Sequence, residues 1–266
     1  MLRVETFDSL SEAATAMDAN ARFLAGGTLV MRAVNYGDQT FTRIVRTRDT
    51  QFSAIRTEGA RIVIGAGVTM SEIIQSSDLQ FIAPAARSVG GPAIRNMATV
   101  GGNLFAPSPY GDFATALLAL DAMVRTADGR EQTIEQFLAG RGQSAGLVAS
   151  VAVSRPANGE FRFAKVSRVK PKGVSVLSIA AWLPRQGGRI ANVRIAFGAM
   201  GPTPLRAKAA EQALDGASVD ARGIAPALAV ATDGLAPQDD AIASAWYRRE
   251  VAPVHLKRLL LSERAW

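Results

Sequence analysis

The chain has 266 residues, no cysteine, one histidine and a formal net charge of +7. Zero cysteine excludes disulfides, thiolate metal sites, cysteine nucleophiles and any iron–sulfur cluster held by this chain, and a single histidine excludes a multi-histidine metal site. Hydrophobic residues make up 48% and charged residues 20%, enough for a packed core, and at roughly 150 residues per domain the length suggests one large or two modest domains.

In chain order, Asp8 or Ser9 offers an N-cap for a short helix over residues 10–17. Residues 21–25 read as a short strand broken by Gly26-Gly27, and the apolar spacing after the glycines predicts a helix beginning at Thr28. With a second strand at Phe41–Val45, residues 1–56 form a β-α-β unit in outline. Residues 57–157 open on an apolar strand, 61–67, followed by Thr69-Met70-Ser71-Glu72, a capping box in which hydroxyl and carboxylate satisfy each other's backbone N–H groups.

The segment from Gly90 to Asp112 is rich in Gly and Pro and follows neither period, so it is expected to be a long functional loop. Residues 113–120 then read as a buried helix capped by Asp112, and 122–126 as a strand entering a hairpin turn at Asp128-Gly129. Residues 158–266 begin with strands over 161–167, 173–183 and 188–198, a three-stranded antiparallel meander. Helices over 205–214, 225–231 and about 240–264 follow, so strands then helices give an α+β class.

Several familiar signatures fail. Gly65-Ala66-Gly67-Val68-Thr69-Met70 has Met where a dinucleotide fingerprint needs its third glycine, and no Lys precedes Ser or Thr as in a P-loop. Gly142-Gln143-Ser144-Ala145-Gly146 matches the nucleophile elbow in letters, but a helical stretch precedes it and a strand follows, the reverse of what the elbow requires. The basic residues are spread along the chain without interleaved aromatics, which argues against nucleic acid and for a solvated or docking surface, or a bound anionic cofactor. The start has no apolar signal core and no run approaches the ~20 apolar residues of a membrane span, so a soluble, cytoplasmic protein is expected.

Two segments carry the chemistry: Ala25-Gly26-Gly27-Thr28-Leu29 and Ala98-Thr99-Val100-Gly101-Gly102-Asn103. A diphosphate needs several convergent backbone N–H groups and close backbone approach, which glycine allows because it has no Cβ. Each segment taken singly is equally well an ordinary glycine turn.

Taken together and in order, these segments resemble a known family. They combine with Gly-Ala-Gly-Val-Thr at 65–69, Ile94-Arg95-Asn96-Met97 leading into the second glycine segment, and Ser108-Pro109-Tyr110-Gly111-Asp112. Residues 163–168 and Trp246-Tyr247-Arg248-Arg249 extend the likeness over nearly the whole chain. The resemblance is to the FAD-binding medium subunit of molybdenum hydroxylases, the group of xanthine dehydrogenase, aldehyde oxidoreductase and carbon monoxide dehydrogenase. It implies a bipartite FAD-binding domain of the vanillyl-alcohol oxidase type, followed by a C-terminal three-stranded antiparallel sheet with a helical bundle.

By that likeness Leu24, Ala25, Gly26, Gly27, Thr28, Leu29 and Val30 would wrap one side of the FAD diphosphate, and Ala98, Thr99, Gly101, Gly102 and Asn103 the other, with Ser108 nearby. Asp112 matches a carboxylate that bonds the sugar hydroxyls of the adenosine half, though it reads equally as a plain helix cap. Lys165 matches a lysine facing the flavin ring, or is a solvated strand lysine. Leu29 departs from the Ser or Thr of many relatives, residues 169–173 lack the aromatic or acidic residues some place against the flavin, and the chain lacks a cysteine-rich insertion.

The likeness further implies non-covalent FAD, a large molybdopterin-binding partner, and a small partner carrying two [2Fe–2S] clusters. Assembly would be a heterotrimer or a dimer of heterotrimers, oxidising an aldehyde or N-heterocycle and delivering electrons to an external acceptor. A stand-alone FAD-dependent oxidoreductase of the same fold and a flavin-free docking subunit are the alternatives.

Overall fold

The computed structural model describes residues 2–141, 146–169 and 173–262. Residues 142–145 of the elbow-like pentapeptide, and 170–172 of the segment after Arg168, lie outside the described residues. Strands β1 (Arg3–Phe7), β2 (Ala21–Phe23) and β3 (Arg43–Thr47) form a parallel sheet in the order β1-β3-β2. Two crossovers connect them, as parallel strands require: α1 (Leu10–Thr15) and α2 (Val30–Asn35). Ser9 caps α1 in a full capping box with Glu12. Helix α2 begins at Val30 and not at Thr28, because the chain is still turning at Gly27, whose φ is +75°. None of its residues is fully buried.

The middle of the chain supplies β4 (Ile55–Glu58), β5 (Arg61–Gly65), α3 (Met70–Gln75), α4 (Ala83–Ser88), α5 (Pro92–Arg95), α6 (Val100–Leu104) and α7 (Asp112–Ala119). It continues with β6 (Met123–Thr126), β7 (Glu131–Thr133), α8 (Ile134–Gly140) and β8 (Val148–Ser154). The five strands pair antiparallel in the order β4-β5-β8-β6-β7. Residues 90–112, expected to be one structureless loop, contain two short helices, α5 and α6; their glycines and Pro92 mask the helical period. The capping box at Thr69 and Glu72 forms as expected.

The last third contains β9 (Phe161–Ser167), β10 (Ser175–Trp182), a small hairpin of β11 (Arg185–Gln186) and β12 (Arg189–Ile190), then β13 (Arg194–Gly198) and β14 (Leu205–Arg206). The meander β9-β10-β13 gains a two-residue fourth strand at its edge, giving the order β14-β13-β10-β9. Leu205 and Arg206 therefore pair with β13 and do not start a helix. Helices α9 (Lys208–Leu214), α10 (Ala225–Ala229) and α11 (Ala245–Leu260) cover this sheet. α11 is shorter than expected because Asp240 binds the N–H groups of Ile242 and Ala243 in a turn, leaving Ser244 as the N-cap.

Every residue of α7 is buried, its apolar residues in the core and its two polar ones, Asp112 and Thr115, with polar partners. It packs in the core of the middle unit and also against β10 and β13, so the middle and C-terminal units share a wall. Gly198 makes that approach possible: a Cβ there would lie 2.3 Å from Ser178 Oγ and 2.5 Å from Thr115 Oγ1.

Candidate cofactor-binding site

The first glycine segment leaves the parallel sheet after the amide of Leu24 donates to the Val45 carbonyl, 2.8 Å. Among the described residues, the next six amides, Ala25 to Val30, donate to no protein acceptor. All six residues are only half-buried, so these N–H groups are open to a ligand. Half-exposed N–H groups without a protein partner bond water in the free chain and are available to an anionic acceptor that replaces it. Leu29 occupies the N-cap position of α2 with no side-chain cap bond, so the departure from Ser or Thr leaves the backbone donors untouched.

The two glycine segments, far apart in sequence, touch. A Cβ on Gly26 would sit 1.6 Å from the carbonyl oxygen of Met97 and 3.2 Å from Thr99 Cγ2. Only glycine fits there. The second segment is itself tied down internally: Met70 N–H donates to Ala98 O and Val100 N–H to Val68 O, each 2.9 Å. Thr99 caps α6 by accepting from Gly102 N–H at 3.1 Å, Gly101 N–H donates to Ala66 O at 2.8 Å, and Asn103 N–H to Thr99 O at 3.0 Å. The Asn103 side-chain oxygen accepts from Ala114 N–H at 2.9 Å and so caps α7. The two segments therefore divide the work. Ala25–Val30 presents the free donors, and Ala98–Asn103 builds the wall that holds them.

Asp112 is the first residue of α7 and not its cap; Gly111, with φ +98°, takes that position. The Asp112 carboxylate points into the protein, where Oδ2 pairs with Lys165 Nζ at 2.9 Å and Oδ1 accepts from Ser175 Oγ at 2.6 Å. Lys165 Nζ also donates to the Ser88 carbonyl, 2.9 Å. With side chains only 14% and 8% exposed, Lys165 and Asp112 form a buried pair, and Lys165 is not a solvated strand lysine. Ser108 is exposed in the loop between α6 and α7, before a cis peptide bond to Pro109.

Two arginines had no signal in the sequence. Arg141 donates to the carbonyls of Leu104 (2.8 Å), Ala106 (3.0 Å) and Pro202 (3.2 Å), clipping the Ser108 loop to the C-terminal unit; burial pushes its pKa down. Arg32 of α2 lies over the Tyr36 ring, 5.4 Å to the centroid, and against the hydroxyl of Tyr110. Hydrogen bonding by Tyr110, then by Tyr36, holds the Arg32 guanidinium above its ordinary pKa. Met31, Ile94, Met97 and Tyr110 are exposed on the same stretches of chain, and the side chains of Leu24 and Met31 lie beside Gly27. Among the described residues no group of three His, Asp or Glu could hold a metal, and no helix is long and apolar enough to cross a membrane.

An unpartnered amide row on the first glycine segment, pressed against the second, suits a diphosphate. Family comparison agrees. Residues 1–155 match the model for the FAD binding domain in molybdopterin dehydrogenase, and residues 162–262 that for the CO dehydrogenase flavoprotein C-terminal domain. The fold and site thus define an FAD-binding oxidoreductase subunit.

The chain belongs to the FAD-binding domain family of the molybdopterin dehydrogenases. It is 28% identical to the xanthine dehydrogenase FAD-binding subunit of Escherichia coli O157:H7, over 96% of this chain and 95% of that protein. It is likewise 28% identical to the carbon monoxide dehydrogenase medium chain of Afipia carboxidovorans, over 92% and 89%. A chain of the reconstituted CO dehydrogenase from Oligotropha carboxidovorans superposes with a TM-score of 0.89 at 26% identity, covering 98% of this chain and 96% of that one. Quinoline 2-oxidoreductase from Pseudomonas putida 86 shares the fold, with a TM-score of 0.86 at 23% identity.

Proposed function

We propose that this chain is the electron-transfer subunit of a heteromeric molybdenum hydroxylase, binding FAD non-covalently in the cradle formed by Leu24–Val30 and Ala98–Asn103. The row of open amides from Ala25 to Val30, pressed against the second glycine segment at Gly26 and Met97, carries the assignment. When bound, the flavin supplies reversible electron transfer between one-electron and two-electron partners. The chain's own part is positional and electrostatic: glycine amides hold the diphosphate, and Asp112, at the end of the loop that follows the second segment, pairs with Lys165 of β9.

In this reading residues 1–56 and 57–157 are the two halves of the FAD-binding module and 158–266 the C-terminal domain; the separate sheets support three units, although β4, which pairs in the second sheet, spans the first boundary. A large molybdopterin-binding chain would oxidise an aldehyde or N-heterocycle, and a small chain with two [2Fe–2S] clusters would relay the electrons, in a cytoplasmic heterotrimer or dimer of heterotrimers. The total absence of cysteine supports such dependence, since this chain cannot hold the clusters itself.

Purification of the chain, followed by a visible spectrum, tests the assignment. We expect bound flavin released by denaturation, and co-purification with cluster-bearing and molybdopterin-bearing chains from the native source. Flavin reduced by the isolated chain's own substrate would favour a stand-alone oxidoreductase. A chain that never takes up flavin would leave only a docking role.

A further inference from the structure

A diphosphate carries negative charge, yet the cradle residues Leu24–Val30 and Ala98–Asn103 include no cation. Backbone amides supply dipoles and no net charge. Three cations of the surrounding segments are committed elsewhere. Lys165 is spent on Asp112 and the Ser88 carbonyl, Arg95 donates to the carbonyls of Arg87 and Gly90, and Arg141 to three further carbonyls.

Arg32 differs. Among the described residues its guanidinium lies over the Tyr36 ring, 5.4 Å to the centroid, and against the Tyr110 hydroxyl, with no carboxylate paired to it. Its position is also informative. Gly26 meets Met97 at one end of the open amide row, and Arg32 meets Tyr110 at the other. Both contacts join the first glycine segment to the stretch that carries the second. The open amides of Gly27 to Val30 lie between these two bridges.

We propose that Arg32 is a further cofactor-binding residue of this chain, its guanidinium held by Tyr110 and Tyr36 at the far end of the amide row to take the charge of the dinucleotide diphosphate. This rests on the cofactor assignment above. Guanidinium suits the task, since its fork of donors matches phosphate oxygens while its flat face remains stacked on an aromatic ring.

The test is calorimetric titration of FAD, and of ADP as a diphosphate probe without the flavin ring, into the flavin-stripped full chain, comparing wild type with R32M and Y110F. R32M should bind both ligands about tenfold or more weakly, the scale of one charge-assisted hydrogen bond. Y110F should show a smaller loss, because it only orients the guanidinium. Added salt should weaken wild-type binding more steeply than R32M binding. The ligand-free melting temperature of R32M should match wild type, since Arg32 is exposed on a helix with no buried residue. FAD and ADP binding by R32M within twofold of wild type, or an identical salt slope, would overturn the proposal while leaving the cofactor assignment intact. A wild-type chain that binds neither ligand would remove both.

Discussion

At the scale of single residues, the glycines have separable duties. Gly26 exists for the contact with Met97, so Gly26→Ala should force the two segments apart and weaken FAD retention by about tenfold or more, read by fluorescence titration. Gly101 is different: a Cβ there would lie 2.8 Å from the Ala66 Cβ, inside the core of the middle unit. Gly101→Val should therefore lower the melting temperature of the flavin-free chain, and not act on cofactor retention alone. The buried Asp112–Lys165 pair makes a third expectation. Lys165→Met leaves an uncompensated buried carboxylate and should cost about 3–5 kcal/mol in denaturant unfolding, against near-wild-type stability if the pair were peripheral. The glycine pairs were legible in the sequence only in combination, since either one alone reads as an ordinary turn. That Asp112 and Lys165 answer each other was not, since no local spacing relates a helix start to a distant strand.

At the scale of elements, the clearest readings were those with one unambiguous period. β9 spans Phe161–Ser167 as its alternation predicts, and the Thr69 capping box forms between the expected partners. Misreadings occurred where side chains redirect the backbone. Asp240 accepts from two amides and pairs with Arg248 at 2.8 Å, turning the chain before α11 can start. Arg248 is itself buried and donates further to the carbonyls of Val176, Gln238 and Ala243. Truncation by Arg248→Ala should strand these groups and cost roughly 3–5 kcal/mol, measured by chemical unfolding; an effect under ~1 kcal/mol would show the clamp to be dispensable. Likewise β4 and β14 are short edge strands, too brief for alternation to announce them; pairing with β5 and β13 makes them strands.

At the scale of the whole molecule, the +7 charge takes on a different meaning. Several of the basic residues serve the framework and not a docking face. Arg43 binds Glu5 and Asp18, Arg206 binds Glu211, and Arg162 donates to the carbonyls of Leu259 and Leu260 at the end of α11. The middle and C-terminal units are joined through α7, with Ser178 bonding Thr115 across the Gly198 gap. Gly198→Ala should overpack that wall and cost about 1–3 kcal/mol, with both units melting in one transition because they share α7. Two separate transitions in the wild type would contradict that shared wall. The class of fold was legible from strand and helix order, but the sharing was not, because a mostly apolar helix reads as buried without saying between what.

The most direct test of the account is amide hydrogen exchange, resolved by NMR, on the flavin-free chain with and without FAD. The amides of Ala25–Val30, open in the free protein, should become protected when FAD is added. Those of Val100–Asn103 should change little, since Ala66, Val68 and Thr99 already accept from them. FAD binding that leaves Ala25–Val30 exchanging as before would contradict the cradle and place the diphosphate elsewhere.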